Sequence, residues 1–341
     1  MTESFQAIDP TNWPIDQLKE ILNHFKKVPI TVLGDVGVDG YTMGSVDRIS
    51  PEAPVPILAV EEEILKLGLA ANVSDNLQTL GAIPLTVGVV GEDRGAEDLR
   101  KLFKKSGISS EGLVSDPSRR TVFKERIVSG NQQLLRVDYE TLHSISSSIQ
   151  KKIEAGLKKS LKVSKALIIE DYAKGLLSES LIQNAISLAK KEDLPVLIDP
   201  NMKTPLGWYK GAAVMTPNQK EAEALTGISI YDGESLFEAG AILKEKTKAK
   251  YIIVTLGKNG MAIFGPRQKP KVIPTYAVEV YDVSGAGDTV ISVLALALSS
   301  GASVEEAVIL SNIAAGVEVG KRGTATVSRE EIYDSLEDLS F

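Results

Sequence analysis

At 341 residues, with 43% apolar and 24% charged side chains, the chain has the length and mixture of one large α/β domain or two ordinary soluble ones. Its formal charge of −7 is spread over interleaved acids and bases, so no basic face for a nucleic acid emerges. Cysteine is absent, which removes disulfides, thiolate nucleophiles and zinc ribbons; the two histidines, His24 and His143, stand in polar surroundings unsuited to a Ser-His-Asp triad or a His-rich metal site. Chemistry must therefore come from carboxylates and backbone amides.

Residues 1–28 read as an N-terminal extension. Met1 to Lys27 carries acids and Trp13-Pro14 and lacks the apolar stretch of a secretory signal. Later apolar runs such as Val290 to Leu298 are too short to span a bilayer. The expectation is a cytoplasmic enzyme with neither membrane nor nucleic-acid partner. From Pro29 onward, short β-branched runs alternate with amphipathic stretches, and residues 29–341 read as one catalytic domain. Pro29 to Leu33, Leu85 to Val90, Ala166 to Ile169, Pro195 to Ile198, Ala213 to Met215 and Tyr251 to Thr255 read as buried strands. Ala70 to Leu80, Ala96 to Lys105, Ile149 to Ser160, Glu179 to Lys191 and Ser235 to Lys246 read as helices. Strands apolar on both faces and separated by helices predict a doubly wound, mainly parallel sheet in an α/β sandwich, with ligands at the carboxyl ends of the strands.

Two regions break the alternation. Tyr41 to Val60 has strand-like stretches around Ser50-Pro51-Glu52-Ala53-Pro54-Val55-Pro56, and Arg120 to Asp138 reads as a hairpin turning at Ser129-Gly130-Asn131. Neither has a covering helix. Lid strands at about 41–60 and 120–138 would form a small separate sheet over the strand ends, with an outer face suited to a homodimer.

The segment Tyr281-Asp282-Val283-Ser284-Gly285-Ala286-Gly287-Asp288-Thr289 precedes the apolar run from Val290. Small residues let the backbone approach a ligand, and successive amides at a helix start favour a phosphate or a developing negative charge. Asp288 would then lie in the first turn beside an attacking hydroxyl, where phosphoryl transfer asks for orientation and late proton uptake. A glycine-rich turn followed by Asp also caps an ordinary helix. No Gly-x-x-x-x-Gly-Lys-Ser/Thr occurs, and Val290 stands at the third glycine position of a dinucleotide fingerprint.

Asp282 to Asp288 resembles the C-terminal signature of the ribokinase-like (PfkB) carbohydrate kinases, and Gly68-Leu69-Ala70-Ala71-Asn72 with Gly81 and Gly91 echoes the N-terminal one. The likeness runs from about Pro29 to Ser328. Within the family the chain is most similar to the bacterial D-glycero-D-manno-heptose 7-phosphate kinases. The residues behind that choice are Gly34-Asp35 with Asp39, Arg48 to Pro56, Asn131 to Asp138, Asp171-Tyr172-Ala173-Lys174-Gly175 and Thr216-Pro217-Asn218.

The resemblance implies a ribokinase-like three-layer sandwich and an ATP-dependent kinase. Asp288 would be the base and Gly285, Ala286 and Gly287 the anion hole. Asn218 and Glu221 match an Asn-x-x-Glu motif that positions Mg2+ and phosphates through water, although Asn218 would equally cap the next helix. Thr255, Gly257 and Asn312 would border the nucleotide, with plain structural roles open to all three. Asp35, Asp39, Gly68 and Asn72 would hold the sugar. A phosphorylated acceptor needs cations, and among Arg48, Lys124, Arg126, Arg136, Lys174 and Lys203 the first choices are Arg136 and Lys174. Asp282 and the loop Lys321-Arg322-Gly323-Thr324 occupy the regions of the family's K+ site.

Two departures bear on the acceptor. Leu69 replaces the second of two adjacent glycines, which brings bulk and a costly positive φ, and Gly40 stands where the similar kinases carry a charge. The implied acceptor is the heptose phosphate, phosphorylated at position 1 on the route to ADP-heptose and lipopolysaccharide core precursors. Another sugar, sugar phosphate or nucleoside, or a non-catalytic binding relative, stays open. Some heptose kinases carry a fused nucleotidyltransferase domain; with only one short helix after Ser328, the expectation is that in that pathway a separate protein would perform the adenylyl step.

Overall fold

The computed structural model describes residues 5–9, 13–276, 280–321 and 325–338. Ten strands form the main sheet: β1 (Gln6–Ala7), β2 (Pro29–Gly34), β5 (Ile83–Val90), β6 (Leu113–Ser115), β9 (Ala166–Glu170), β10 (Val196–Asp199), β11 (Val214–Met215), β12 (Tyr251–Thr255), β13 (Met261–Phe264) and β14 (Lys271–Ile273). Their spatial order is β1-β14-β13-β12-β11-β10-β9-β2-β5-β6. From β12 to β6 every pairing is parallel, and β13 and β14 extend the sheet by antiparallel pairing.

Strand periodicity sorts the side chains onto two faces. Ile30 and Val32 of β2, with Ala166 and Ile168 of β9, pack into one core with α1 (Ile15–Asn23), α2 (Ala70–Thr79), α3 (Arg94–Lys105), α8 (Ala286–Ser299), α9 (Val304–Val319) and α10 (Arg329–Asp338). Leu33, Leu167 and Ile169 face the other core, formed with α4 (Ser147–Leu161), α5 (Glu179–Lys191), α6 (Gln219–Thr226) and α7 (Gly233–Thr247). This is the three-layer α/β sandwich that the doubly apolar strands required. Residues of the N-terminal stretch join it: β1 pairs with β14, and Leu18, Ile21, Leu22 and Phe25 are buried in the first core.

The second sheet has four strands in the order β4-β3-β7-β8: β3 (Val36–Ile49), β4 (Pro56–Leu69), β7 (Val122–Ser129) and β8 (Gln132–Tyr139). The 120–138 hairpin has the expected turn. β3 and β4 run further than the proline-rich stretch indicated, because a single long antiparallel pair joins them from Val36↔Leu69 to Ile49↔Pro56. Bulges at Met43/Gly44 and Val46/Arg48 bend this pair. No helix among the described residues is long and apolar enough to cross a membrane.

Candidate active site

The sequence-predicted residues gather where the parallel strands end. Asp35 follows β2, Glu170 closes β9, Asp199 closes β10, Asn218 follows β11 and Thr255 closes β12. Periodicity decides their faces. Ile168 and Leu197 lie on the α8 side, so Glu170 and Asp199, two residues on, point to that side as well, and the two are register partners. Above them α8 begins. Gly285 precedes it with φ 102°, a conformation that glycine reaches without a Cβ penalty, and the first-turn amides of Ala286 and Gly287 follow.

Asp288 sits in that first turn, 8% exposed. Asn72 Nδ2 donates to its Oδ2 at 2.6 Å and the Tyr172 hydroxyl donates to its Oδ1 at 2.8 Å. Burial raises the Asp288 pKa to about 6, opposed by the hydrogen bonds from Asn72 and Tyr172. A carboxylate so placed is oriented and ionised near neutrality, as a base for an alcohol requires. The helices that carry this pair are stitched together, since Thr289 Oγ1 donates to Asn76 Oδ1 at 3.0 Å and Ser292 Oγ to the Val73 carbonyl at 3.3 Å.

Beneath Asp288, the carboxylates of Glu170, Asp199 and Asp288 offer oxygens within 4.8 Å of one another. Burial, and then mutual repulsion with Glu221 and the neighbouring acids, push Glu170 and Asp199 well above the usual carboxylate range. A cluster of hard oxygens without sulfur or imidazole has the chemistry of a Mg2+ site.

On the nucleotide side, Asn218 and Glu221 make a complete capping box: Glu221 N donates to Asn218 Oδ1 at 3.0 Å, and Asn218 N to Glu221 Oε2 at 2.9 Å. The helix-capping alternative is therefore realised, while the Glu221 carboxylate still lies near enough to raise Asp199. Thr255 bridges to Asn218, and its amide donates to the Pro217 carbonyl at 3.0 Å. Gly257, with φ 54°, opens a short 3-10 turn after β12. Asn312 is buried on α9 and donates to the Pro274 carbonyl at 2.5 Å, so its amide holds that segment. Asp282 Oδ1 accepts from the Ser284 amide at 2.9 Å. Of the loop expected to complete a K+ site, Arg322, Gly323 and Thr324 lie outside the described residues.

On the acceptor side the expected acidic pair divides. Asp35 is 2% exposed and accepts from the amides of Lys174 at 3.0 Å and Leu176 at 3.1 Å. Its carboxyl clamps the loop that carries Tyr172, and burial raises its pKa to about 6. Asp39 stands on lid strand β3, where Arg126 Nη1 of β7 meets its Oδ1 at 2.8 Å. Gly68 gives that carboxylate room, because a Cβ there would lie 2.7 Å from Asp39 Oδ2.

The expected acceptor-side cations stand in different surroundings. Arg136 is 51% exposed and pairs with Asp138 at 2.8 Å, because β8 is the edge strand, one place further from β3 than β7. The Lys174 ammonium pairs with Glu140 at 2.6 Å. Lys124 and Arg126, on β7 beside Asp39 and Tyr41, are the lid cations brought to the site. Lys124 is half-buried, with its pKa lowered first by desolvation, and its Nζ lies 5.7 Å from the Tyr172 ring centroid. Arg48 is exposed near the end of β3.

Leu69 does adopt the glycine-like backbone, with φ 58°. Its side chain is 5% exposed and packs over Gly37, so the bulk goes into the base of the lid. Gly40 is explained by Phe123, whose Cε1 would lie 2.8 Å from an added Cβ. Tyr172 and Glu170 were given no role from sequence. A tyrosine in a loop carries no spacing signal, whereas Glu170 ends an otherwise apolar strand, which is a signal of a buried acid. A cavity of about 480 Å³ between the lid and α3 includes none of Asp39, Asn72 or Asp288.

Residues 30–331 match the model of the pfkB family carbohydrate kinases. The chain belongs to that family. Asp288 at the start of α8 lies within the matched region. A protein of Aliarcobacter butzleri described as bifunctional protein HldE is 44% identical over 309 residues, covering 91% of this chain and 64% of that protein. One of the same description from Geobacter sulfurreducens is 40% identical over 319 residues, covering 94% and 65%. The chain thus spans less than two thirds of the length of these relatives. Escherichia coli phosphofructokinase-2 in complex with potassium shares the fold at TM-score 0.76 and 19% identity, covering 93% of this chain and 100% of that one. Arabidopsis thaliana ribokinase complexed with ribose and ATP shares it at TM-score 0.73 and 20% identity, covering 91% and 99%.

Proposed function

We propose that this kinase transfers the γ-phosphoryl group of ATP to O1 of D-glycero-D-manno-heptose 7-phosphate, a step towards ADP-heptose and lipopolysaccharide core precursors. The observation that carries the reading is the position of Asp288, hydrogen-bonded by Asn72 and Tyr172 at the amide-rich start of α8, beside a lid bearing Lys124 and Arg126. The relatives described as HldE, at 44% and 40% identity, support the heptose phosphate over other acceptors.

In this account Asp288 orients the acceptor hydroxyl and takes its proton late in transfer. Gly285, Ala286 and Gly287 present backbone amides to the charge that develops on the transferring group. Asp39 and Asn72 position sugar hydroxyls, with Gly68 leaving space for the Asp39 carboxylate. Lys124 and Arg126 take the acceptor's own phosphate, a task for which two cations on one strand are well suited. Asn218, Glu221, Thr255 and Gly257 line the nucleotide at the ends of β11 and β12, and Asn312 fixes the segment beside it. Mg2+ neutralises phosphate charge when bound, and Glu221 reaches it through water. Asp282 is the candidate protein contact for K+. The lid would also carry a homodimer contact, supported by exposed Val60, Leu134 and Leu135, and sedimentation at micromolar concentration checks it.

The test is ATP consumption with Mg2+ and K+ against a panel of sugars and sugar phosphates. The heptose 7-phosphate should give the highest kcat/KM; a higher value for a non-phosphorylated sugar would refute the acceptor.

A further inference from the structure

We propose that Arg119 is a positioning residue that couples the hinges of the lid to Tyr172, and through it to the proposed base Asp288. Arg119 stands in the short segment between β6 and β7, which is anchored to the end of β5. There the Asp116 amide donates to the Val90 carbonyl at 2.8 Å, and the Gly91 amide donates to Thr121 Oγ1 at 2.8 Å. From this anchored segment the guanidinium reaches across to the far side of the lid hairpin. Its Nη2 donates to the carbonyls of His143 at 2.8 Å and Thr141 at 3.3 Å, just beyond β8, and to that of Lys174 at 3.2 Å. One nitrogen therefore joins the segment that enters the hairpin, the segment that leaves it and the loop that carries Tyr172.

These ties converge on residue 174. Its amide donates to Asp35 Oδ2 at 3.0 Å, its carbonyl accepts from Arg119, and its ammonium pairs with Glu140 at 2.6 Å. A buried anion and a buried cation thus grip the two backbone groups of one residue. Two positions earlier stands the tyrosine whose hydroxyl donates to Asp288 at 2.8 Å. Gly175 shows how close the segments come. Its φ is 95°, and a Cβ there would lie 2.3 Å from the His143 carbonyl oxygen and 3.0 Å from Arg119 Nη2.

The cost of this arrangement argues for a use. Arg119 is 7% exposed and its Nε has no hydrogen-bond partner among the described residues. Nor does any described carboxylate come within ion-pair distance of it. Three neutral carbonyls stand in for lost water, yet no opposite charge answers the guanidinium at close range. An apolar side chain of similar length would fill the space at less cost. What it could not do is hold carbonyls from separate segments at once, which a rigid, permanently charged fork can. When the lid shifts as an acceptor binds, its hinge carbonyls, the guanidinium and the Tyr172 loop then move as one body.

The inference rests on the reading of Asp288 as the base, and half of its test omits ATP and sugar so that the two can fail separately. In the free protein, hydrogen exchange of the Lys174 and Leu176 amides should quicken by about 10-fold or more in Arg119→Ala. Arg119→Lys, which keeps the charge without the fork, should show a smaller rise. His143→Ala is the control. The His143 ring nitrogens lie 3.0 Å from the Ser144 and Ser118 carbonyls, so its loss loosens the same hinges without touching residue 174. Exchange at the two amides should then stay within about twofold of wild type. The second half uses whichever acceptor turns over best. Arg119→Ala should move the acid limb of kcat to higher pH by about half a unit or more, because the Tyr172 donor is less well held. Adding Arg119→Ala to Tyr172→Phe should move the limb by less than about 0.3, since both changes act on one hydrogen bond. Should Arg119→Ala not fold, Arg119→Lys carries both comparisons. Unchanged exchange or an unmoved limb in a folded variant, additive shifts in the double variant, or an equal effect of His143→Ala would overturn the inference. Faster exchange in Arg119→Ala with no turnover on any sugar would uphold the tie between Arg119 and the Tyr172 loop and count against the kinase reading.

Discussion

Asn72 on α2 and Asp288 on α8, 216 positions apart in sequence, meet in a 2.6 Å hydrogen bond between Nδ2 and Oδ2. With the Tyr172 hydroxyl on the other oxygen, this contact fixes the direction of the carboxylate and favours its ionised form. Burial acts in the opposite sense and prevails, leaving the pKa at about 6.

Activity should therefore follow ionisation of Asp288. The wild-type rate is expected to fall as pH drops below about 6. Asn72→Ala or Tyr172→Phe removes a donor that stabilises the charged form, so the pKa rises and the acid limb moves to higher pH, by roughly one to two units. The pH dependence of kcat for the three proteins checks this; an unmoved limb would assign the titration elsewhere.

Lys124 is expected to govern affinity for the acceptor's phosphate. Lys124→Met should raise KM for the sugar phosphate by roughly 10-fold or more, a loss of about 1.4 kcal/mol or more, with a smaller change in kcat. Arg136→Ala, on the exposed edge strand, should change KM less than about twofold. Steady-state kinetics of both variants separate β7 from β8 as the phosphate-binding strand.

Leu69 holds φ 58° with a buried side chain, so two effects oppose each other there. Leu69→Gly relieves about 1–3 kcal/mol of backbone strain and loses a comparable amount of packing. Leu69→Ala loses packing and keeps the strain. The alanine variant should be the less stable of the two by about 1 kcal/mol or more, the reverse of the order common elsewhere in helices and strands, and denaturant titration would show it.

Asp35 gives a stability signature with a defined sign. Its folded pKa of about 6 exceeds the ordinary value of 3.8, because burial outweighs the amides of Lys174 and Leu176. Its contribution is full below about pH 3.8 and is lost as pH rises through about 6, a change of about 3 kcal/mol. The stability of Asp35→Asn relative to wild type should thus improve between pH 4 and pH 7. A constant difference over that range would show that Asp35 does not titrate in it.

Much of this arrangement was legible in the sequence for a physical reason. Parallel strands buried on both faces read as continuous apolar runs, and Tyr251–Thr255 and Glu179–Lys191 have the same limits in sequence and structure. The glycine-rich run before Asp288 likewise states its chemistry locally. Less legible was anything set by pairing across the lid. Arg126 and Arg136 are similar residues on similar strands, and only the order β4-β3-β7-β8 places one beside Asp39 and the other at the edge. The two amides that hold Asp35 arrive from a loop 139 and 141 residues away, which no local pattern announces. Glu170 became visible only when β9 and β10 were set in register.

The most direct measurement is kcat for Asp288→Asn with ATP, Mg2+ and heptose 7-phosphate, together with ATP binding by the same protein. If Asp288 is the base, turnover falls by about 10²–10⁴ while ATP affinity changes little. Turnover close to wild type in a variant that binds ATP normally would contradict the account and require another residue to take the acceptor's proton.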